Sequence, residues 1–253
     1  MSASTLVPTY GLLGKLPVRR DVRTLALVRY VDRAVLPEPP VMLDLTTHVA
    51  EWPMYANDRR GDCTCAAAGH MIEAWTGAVG SVVEVSEEGV LAAFDAVKVV
   101  DPFSGEEGAI ELDVLRYWRK HGIGRHRIGA FAAVPTHDPL LVRVGAWLFG
   151  GLYIGLSLPI SCQKQDVWDW TGSLNGDAKP GSWGGHAVDV VRYDDAGLTV
   201  VTWGRLQVMT WSFWDRYCDE AYCILTPDFL RGNVAPNGFD LEALKVDLEL
   251  ILG

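Results

Sequence analysis

Asn57-Asp58-Arg59-Arg60-Gly61-Asp62-Cys63-Thr64-Cys65-Ala66, continued by Ala67-Ala68-Gly69-His70-Met71-Ile72-Glu73-Ala74-Trp75, is the stretch on which the reading of the whole chain turns. Residues 57–62 are polar and turn-forming, and the alanine-rich run behind them has helical spacing, so a helix is expected to start close to Cys63. The thiol then sits at the positive end of the helix dipole, among backbone N–H groups without partners, where a thiolate is favoured. Cys65 lies about 200° further round the helix and points into the core, whereas His70, seven residues on, shares the face of Cys63 and reads as packing or a polar tie.

An activated thiol needs a base, and Gly184-Gly185-His186-Ala187-Val188 offers a histidine at the start of an apolar strand. The two glycines before it admit close approach of a substrate backbone or of another loop. Taken singly, a free cysteine is ordinarily a small buried apolar group and a lone histidine a structural one. A zinc site drawn from Cys63, Cys65, His70 and His186 matches no defensible ligand spacing, so no metal and no cofactor are expected. Cys162, Cys218 and Cys223 read as structural.

Around these two motifs the chain changes texture. Residues 1–50 carry Pro8, Pro17, Pro37, Pro39 and Pro40, which break any long helix and imply an extended arm that either crosses a cleft as an inhibitory segment or belts the lobes together. Residues 51–150 read as a helical lobe carrying the cysteine. After the helix at Cys63, a second runs from Ser86, with Glu87 and Glu88 in its first turn, to about Val97. A third covers roughly Ile110 to His121 before Gly122, and a fourth is LLVRVGAWLF from Leu140 to Phe149. Residues 151–226 read as an antiparallel β lobe carrying the histidine, built from LYIGLSL, HAVDVVRY, GLTVVTW, QVMTW and AYCIL with turns such as Asp194-Asp195-Ala196-Gly197. Helices followed by strands specify an α+β protein rather than alternating βαβ units. Residues 227–253 form a tail ending in the amphipathic LEALKVDLELILG.

Composition bounds the function. The chain has 253 residues, 49% of them hydrophobic and 21% charged, enough apolar matter for a large core. Its formal charge of −10 repels phosphate backbones, so nucleic acid is not an expected partner. The uncharged run from Val144 to Ile160 is too short and too glycine-rich for a membrane span and reads as a helix end followed by a strand, so no membrane partner is expected. Ten tryptophans point to a groove or an interface. Five cysteines argue against a disulfide framework and for a reducing compartment. With no secretory signal pattern at the N-terminus, a cytoplasmic location is expected, with virion association as the alternative. The basic cluster Arg116, Arg119, Lys120, Arg125, His126 and Arg127 reads as a solvated face. Oligomeric state is left open.

The cysteine and histidine segments, in this order, resemble the nucleophile helix start and the histidine strand of papain-like cysteine peptidases, and are closest to uncharacterised bacterial and bacteriophage papain-like proteins. Val201-Thr202-Trp203-Gly204 resembles the family's Asn-Ser-Trp-Gly turn. Glu107-Gly108 through Ile123 resembles the helix that follows a D/E-G segment, and Cys218-Asp219-Glu220-Ala221-Tyr222 falls where the last glycine-tyrosine strand would lie. The resemblance covers about residues 50–226. It implies a two-lobe papain-like fold, a peptide or protein substrate, Cys63 as nucleophile and His186 as its base. It also sets Asn57, six residues before Cys63, in the place of the glutamine whose amide completes an oxyanion hole, on a stem one methylene shorter. Valine stands at 201, where the family's asparagine orients the histidine ring. Thr202, Gln207 or a group from elsewhere must serve instead, or the site works as a dyad. Asp189 lies on the strand of His186 but, by alternation, on its opposite face. Trp203 shields the histidine or belongs to the core.

The expected function is therefore thiol hydrolysis of a peptide or related amide through a thioester on Cys63. The alternatives are a catalytically silent papain-fold binding or structural protein, a cell-wall peptide amidase, and an acyl transferase.

Overall fold

The computed structural model describes residues 10–31 and 38–229, so the amphipathic tail segment, Pro8 and Pro37 lie outside the described residues. Helix α1 spans Cys63–Ala78, starting at the residue its sequence indicated, and is buried from Cys63 to Gly77. Alanine and glycine at 66–69 keep it slim enough to run through the middle of the molecule with no solvated face. Its polar side chains are tied off locally. His70 Nε2 lies 2.7 Å from the Pro53 carbonyl, and Glu73 bonds the Tyr55 hydroxyl. Trp75 Nε1 donates to the Gly150 carbonyl at 2.8 Å while its ring stacks on Trp118 at 5.6 Å.

Helix α2 is Glu87–Val97, capped by the Ser86 side chain accepting from the Gly89 N–H. Helix α3 is Glu111–His121 and stops at Gly122, whose φ of +87° suits glycine. Helix α4 is Pro139–Phe149, and Gly150 closes it in the left-handed region. The uncharged run after Val144 is thus a helix end joined to a strand, and no helix among the described residues is long and apolar enough to cross a membrane.

Among the described residues, eleven strands follow one another as β1 Leu25–Ala26, β2 Leu43–Asp44, β3 Val99–Val100, β4 Glu107–Gly108, β5 Ala130–Ala133, β6 Leu152–Leu158, β7 Val167–Trp168, β8 Gly184–Tyr193, β9 Gly197–Thr202, β10 Arg205–Thr210 and β11 Cys218–Leu225. Nine form one sheet in the order β1-β5-β11-β6-β8-β9-β10-β7, with β2 paired to β8, while β3 and β4 make a separate hairpin. The pairings are antiparallel except β1 with β5 and β10 with β7. One core lies between α1, α2, α3 and the sheet, and a second is built from α4, β6, the other face of β8 and β9, and the Phe213–Tyr217 region.

Three features depart from the sequence reading. The run QVMTW is strand only to Thr210, whose hydroxyl accepts from the Phe213 N–H and starts a helix α5 at Trp211–Tyr217. Ala130–Ala133, short and without alternation, joins the sheet between β1 and β11. Part of the N-terminal arm is also strand, at Leu25–Ala26 and Leu43–Asp44.

Candidate active site

Cys63, at the first turn of α1, and His186, near the start of β8, face one small space that Asn57, Thr202 and Trp203 also line. Its volume is about 10 Å³, at the lower limit of what one water requires. All four residues singled out from the sequence, Cys63, His186, Asn57 and Thr202, are therefore brought together. His186 Nε2 lies 2.6 Å from Thr202 Oγ1, and Trp203 stacks on the imidazole at 4.5 Å with the planes 21° apart. Trp203 holds that place with φ +48°, an uncommon conformation for a bulky residue. Gln207 donates instead to the carbonyls of Asp166 and Val208, so it plays no part in holding the ring. Val201 packs into the core shared with α1. Asp189 points away from His186, toward α1, where its carboxylate lies 3.8 Å from His70 Nδ1. The remaining imidazole nitrogen, His186 Nδ1, is buried without a hydrogen-bond partner.

The thiol receives the Ala187 N–H at 3.5 Å. That contact and the Gly14 backbone favour the thiolate, but burial outweighs both and pushes Cys63 up to about 12. Burial, with a smaller contribution from His70, pulls His186 down to about 3. At neutral pH the closed site therefore holds a neutral thiol and a neutral imidazole.

The closing element is the arm, whose residues 10–16 run between the two motifs. Tyr10 packs edge-on against Trp183 and Trp203. The Leu12 N–H donates to the Asn57 carbonyl at 2.6 Å, and the Leu12 carbonyl accepts from Asn57 Nδ2 at 3.1 Å and Trp203 Nε1 at 3.4 Å. Gly14 accepts from Ala109, Lys15 donates to Gly185 and Leu16 donates to Ala109. The glycine pair before His186 now has its reason. A Cβ on Gly185 would lie 2.2 Å from the Lys15 carbonyl oxygen, and one on Gly184 would lie 2.7 Å from Leu13. The sequence allowed either a substrate or a loop there, and the structure holds the chain's own arm. Asn57, expected to carry an oxyanion donor, already presents its amide to a peptide carbonyl in the cleft.

Among solved structures, this chain is similar to xylellain, a cysteine protease from Xylella fastidiosa, at 16% identity and a TM-score of 0.64 over 87% of this chain and 97% of the other. The fold is that of papain-like cysteine proteases. The Carica candamarcensis cysteine protease CMS1MS2, in complex with E-64, aligns with a TM-score of 0.53 and 14% identity over 74% of this chain and 99% of its own. Digestive procathepsin L 3 of Tenebrio molitor larval midgut aligns with a TM-score of 0.56 and 13% identity over 85% and 75%. No protein-family model matches the chain, and no curated protein does. In this papain-like setting the helix start, the histidine strand and the Thr202-Trp203 turn line one space. The arm's glycines and Lys15, which the sequence reading passed over, form part of the same site.

Asp62, next to Cys63, is fully buried with neither carboxylate oxygen bonded. Burial raises its pKa to about 7 despite the Asn57 amide, which pulls it down. A carboxyl raised on folding contributes stability below its unfolded value near 4 and loses it as pH climbs through the folded value. Asp62→Asn is accordingly expected to gain stability relative to the parent between pH 5 and pH 8, by roughly 1–3 kcal/mol at the upper end. Melting temperatures of the two chains across that range check this, and a constant offset contradicts it.

Proposed function

We propose that this chain is a papain-like thiol hydrolase acting on a peptide or related amide, held latent by its own arm. The observation that carries the proposal is the meeting of Cys63, His186, Thr202 and the Asn57 amide around one small space, closed by a peptide segment. In this reading His186 Nδ1, the nitrogen left free by Thr202, takes the Cys63 proton, and the thiolate adds to the amide carbonyl. The Asn57 amide and the Cys63 backbone N–H receive the oxyanion. The imidazolium then protonates the departing amine, and water resolves the thioester with His186 again as base. An added amine in place of water would give acyl transfer at the same residues.

A silent papain fold is favoured by one observation, the absence of a hydrogen bond between Cys63 and His186 Nδ1. The two readings part in a single assay. A diverse fluorogenic peptide library is incubated with a full chain whose arm has been displaced by Gly14→Val. Cleavage that disappears on adding Cys63→Ala supports the hydrolase, and an uncut library supports the silent protein.

A further inference from the structure

Lys15 enters the protein rather than leaving it. Its side chain is 1% exposed, with Nζ 2.9 Å from Asp219 Oδ1 and 3.1 Å from Glu220 Oε1. A third carboxyl, Glu111 at the start of α3, is completely buried with neither oxygen hydrogen-bonded, and it acts on the same ammonium. Gly155 on β6 forms the floor, since a Cβ there would lie 2.0 Å from Lys15 Cε and 2.8 Å from both Asp219 and Glu111 oxygens. The acids are themselves held in place, Asp219 by the Ser157 hydroxyl at 2.6 Å and Glu220 by the Tyr222 hydroxyl at 2.9 Å. Three carboxyls drawn from α3 and β11 thus surround a slot shaped for an unbranched basic side chain.

The slot adjoins the reacting groups. Lys15 donates its backbone N–H to the carbonyl of Gly185, the residue before His186, and Gly14 beside it faces the Cys63 thiol. Burial alone would lower the Lys15 pKa, but Glu111, Glu220 and Asp219 together hold it above its usual value. When the arm leaves, the slot keeps up to three carboxyls with no cation, which is costly to bury. Another basic side chain relieves that cost, and an apolar or acidic one does not. Asp219, 28% exposed, brings one edge of the slot to solvent, where the longer arginine has room.

Resting on the hydrolase reading for its context, we infer that Glu111, Asp219, Glu220 and Gly155 form a specificity pocket for lysine or arginine within two residues of the cleaved bond, and that Lys15 occupies it in the closed chain. The pocket selects substrate by charge, and the arm is its internal competitor.

Two measurements test this. The full chain carrying Gly14→Val and Cys63→Ala is titrated with labelled hexapeptides bearing Lys, Arg, norleucine or Glu at successive positions, followed by fluorescence anisotropy. At one position Lys and Arg should bind at least tenfold tighter than norleucine or Glu, and adding Glu220→Gln should erase most of that preference. Equal binding of Lys and norleucine, or no binding of any peptide, overturns the pocket. The second measurement leaves the cleft closed. Lys15→Ala removes the atoms from Cγ to Nζ, and n-propylammonium should raise the melting temperature of that variant by several degrees where n-propanol does not. No such rise, or an equal rise in Lys15→Ala/Glu111→Gln/Glu220→Gln, overturns it independently. If Gly14→Val with Cys63 intact binds lysine peptides but cuts none, the hydrolase reading falls and the pocket stands. If it cuts peptides without regard to charge, the reverse holds.

Discussion

Gly14→Val is expected to raise the rate at which iodoacetamide alkylates Cys63 at pH 7 by about two orders of magnitude, while Cys65 and Cys223 stay protected. A Cβ at position 14 would lie 1.8 Å from the Gly61 carbonyl oxygen and 2.3 Å from its carbon. Both are backbone atoms at the entrance to α1, so the arm must move instead. The backbone bonds it gives up, Leu12 with Asn57, Gly14 with Ala109 and Lys15 with Gly185, are each worth about 1 kcal/mol net, and withdrawing Lys15 from Asp219 and Glu220 costs about 3–5 kcal/mol more, so it is the hard clash of the valine with fixed backbone that drives the arm out. Water then reaches the sulfur. Burial is the largest cause of the Cys63 pKa of about 12, and every unit recovered toward the ordinary thiol value multiplies the thiolate at pH 7 tenfold. Two recovered units give the expected rate, and improved access adds to it. Peptide mass readout separates the five cysteines, all free and buried in the parent. Equal acceleration at all five would mean unfolding, and no acceleration at Cys63 would mean that the arm is not what closes the site.

The parts of this site that sequence made legible are those with local causes. A polar turn followed by alanines marks the start of α1 at Cys63, and Gly184-Gly185 marks a close approach at β8. The strand Leu152–Leu158 is bounded by Gly150-Gly151 and Pro159, breakers that mark both of its ends in the sequence. The illegible parts depend on distant partners. Whether residues 10–16 cross the cleft is decided by Gly61, Ala109 and Gly185, none of them near in sequence, and Lys15 looks like any surface lysine until Glu111, Asp219 and Glu220 surround it. Helix α5 was hidden because Trp211 continues the apolar texture of β10, and only the Thr210 cap separates the two. The missing asparagine at 201 was plain in the sequence, but its replacement was not. A β-strand turns alternate residues to opposite faces, so when Val201 packs toward α1 its neighbour Thr202 faces His186.

That substitution sets the second large effect. In the arm-displaced chain, His186→Ala is expected to lower kcat/KM on a cleaved peptide by about 10³-fold or more, because the thiol loses its base and the leaving amine its acid. Thr202→Val should cost less, on the order of tenfold, since Trp203 still stacks on the ring, and Thr202→Ser should recover most of the loss. In the hydrolase reading Thr202 is a positioning residue, and the signature of that role would lie in the pH profile. A threonine hydroxyl can donate to or accept from Nε2, so it fixes the plane of the imidazole more firmly than its tautomer. Burial pulls the closed-state His186 down to about 3, and opening the cleft removes most of that effect, so thiol and imidazole can exchange a proton and titrate as a pair. Removing the hydroxyl frees the ring to turn and to present its protonated nitrogen to the sulfur, which lowers the plateau of kcat/KM between the two apparent pKa values. A kcat/KM plateau unchanged in Thr202→Val would show that stacking on Trp203 alone orients the base. A plateau lowered in Thr202→Val and restored in Thr202→Ser would assign the hydroxyl the task that an asparagine performs in the resembling peptidases.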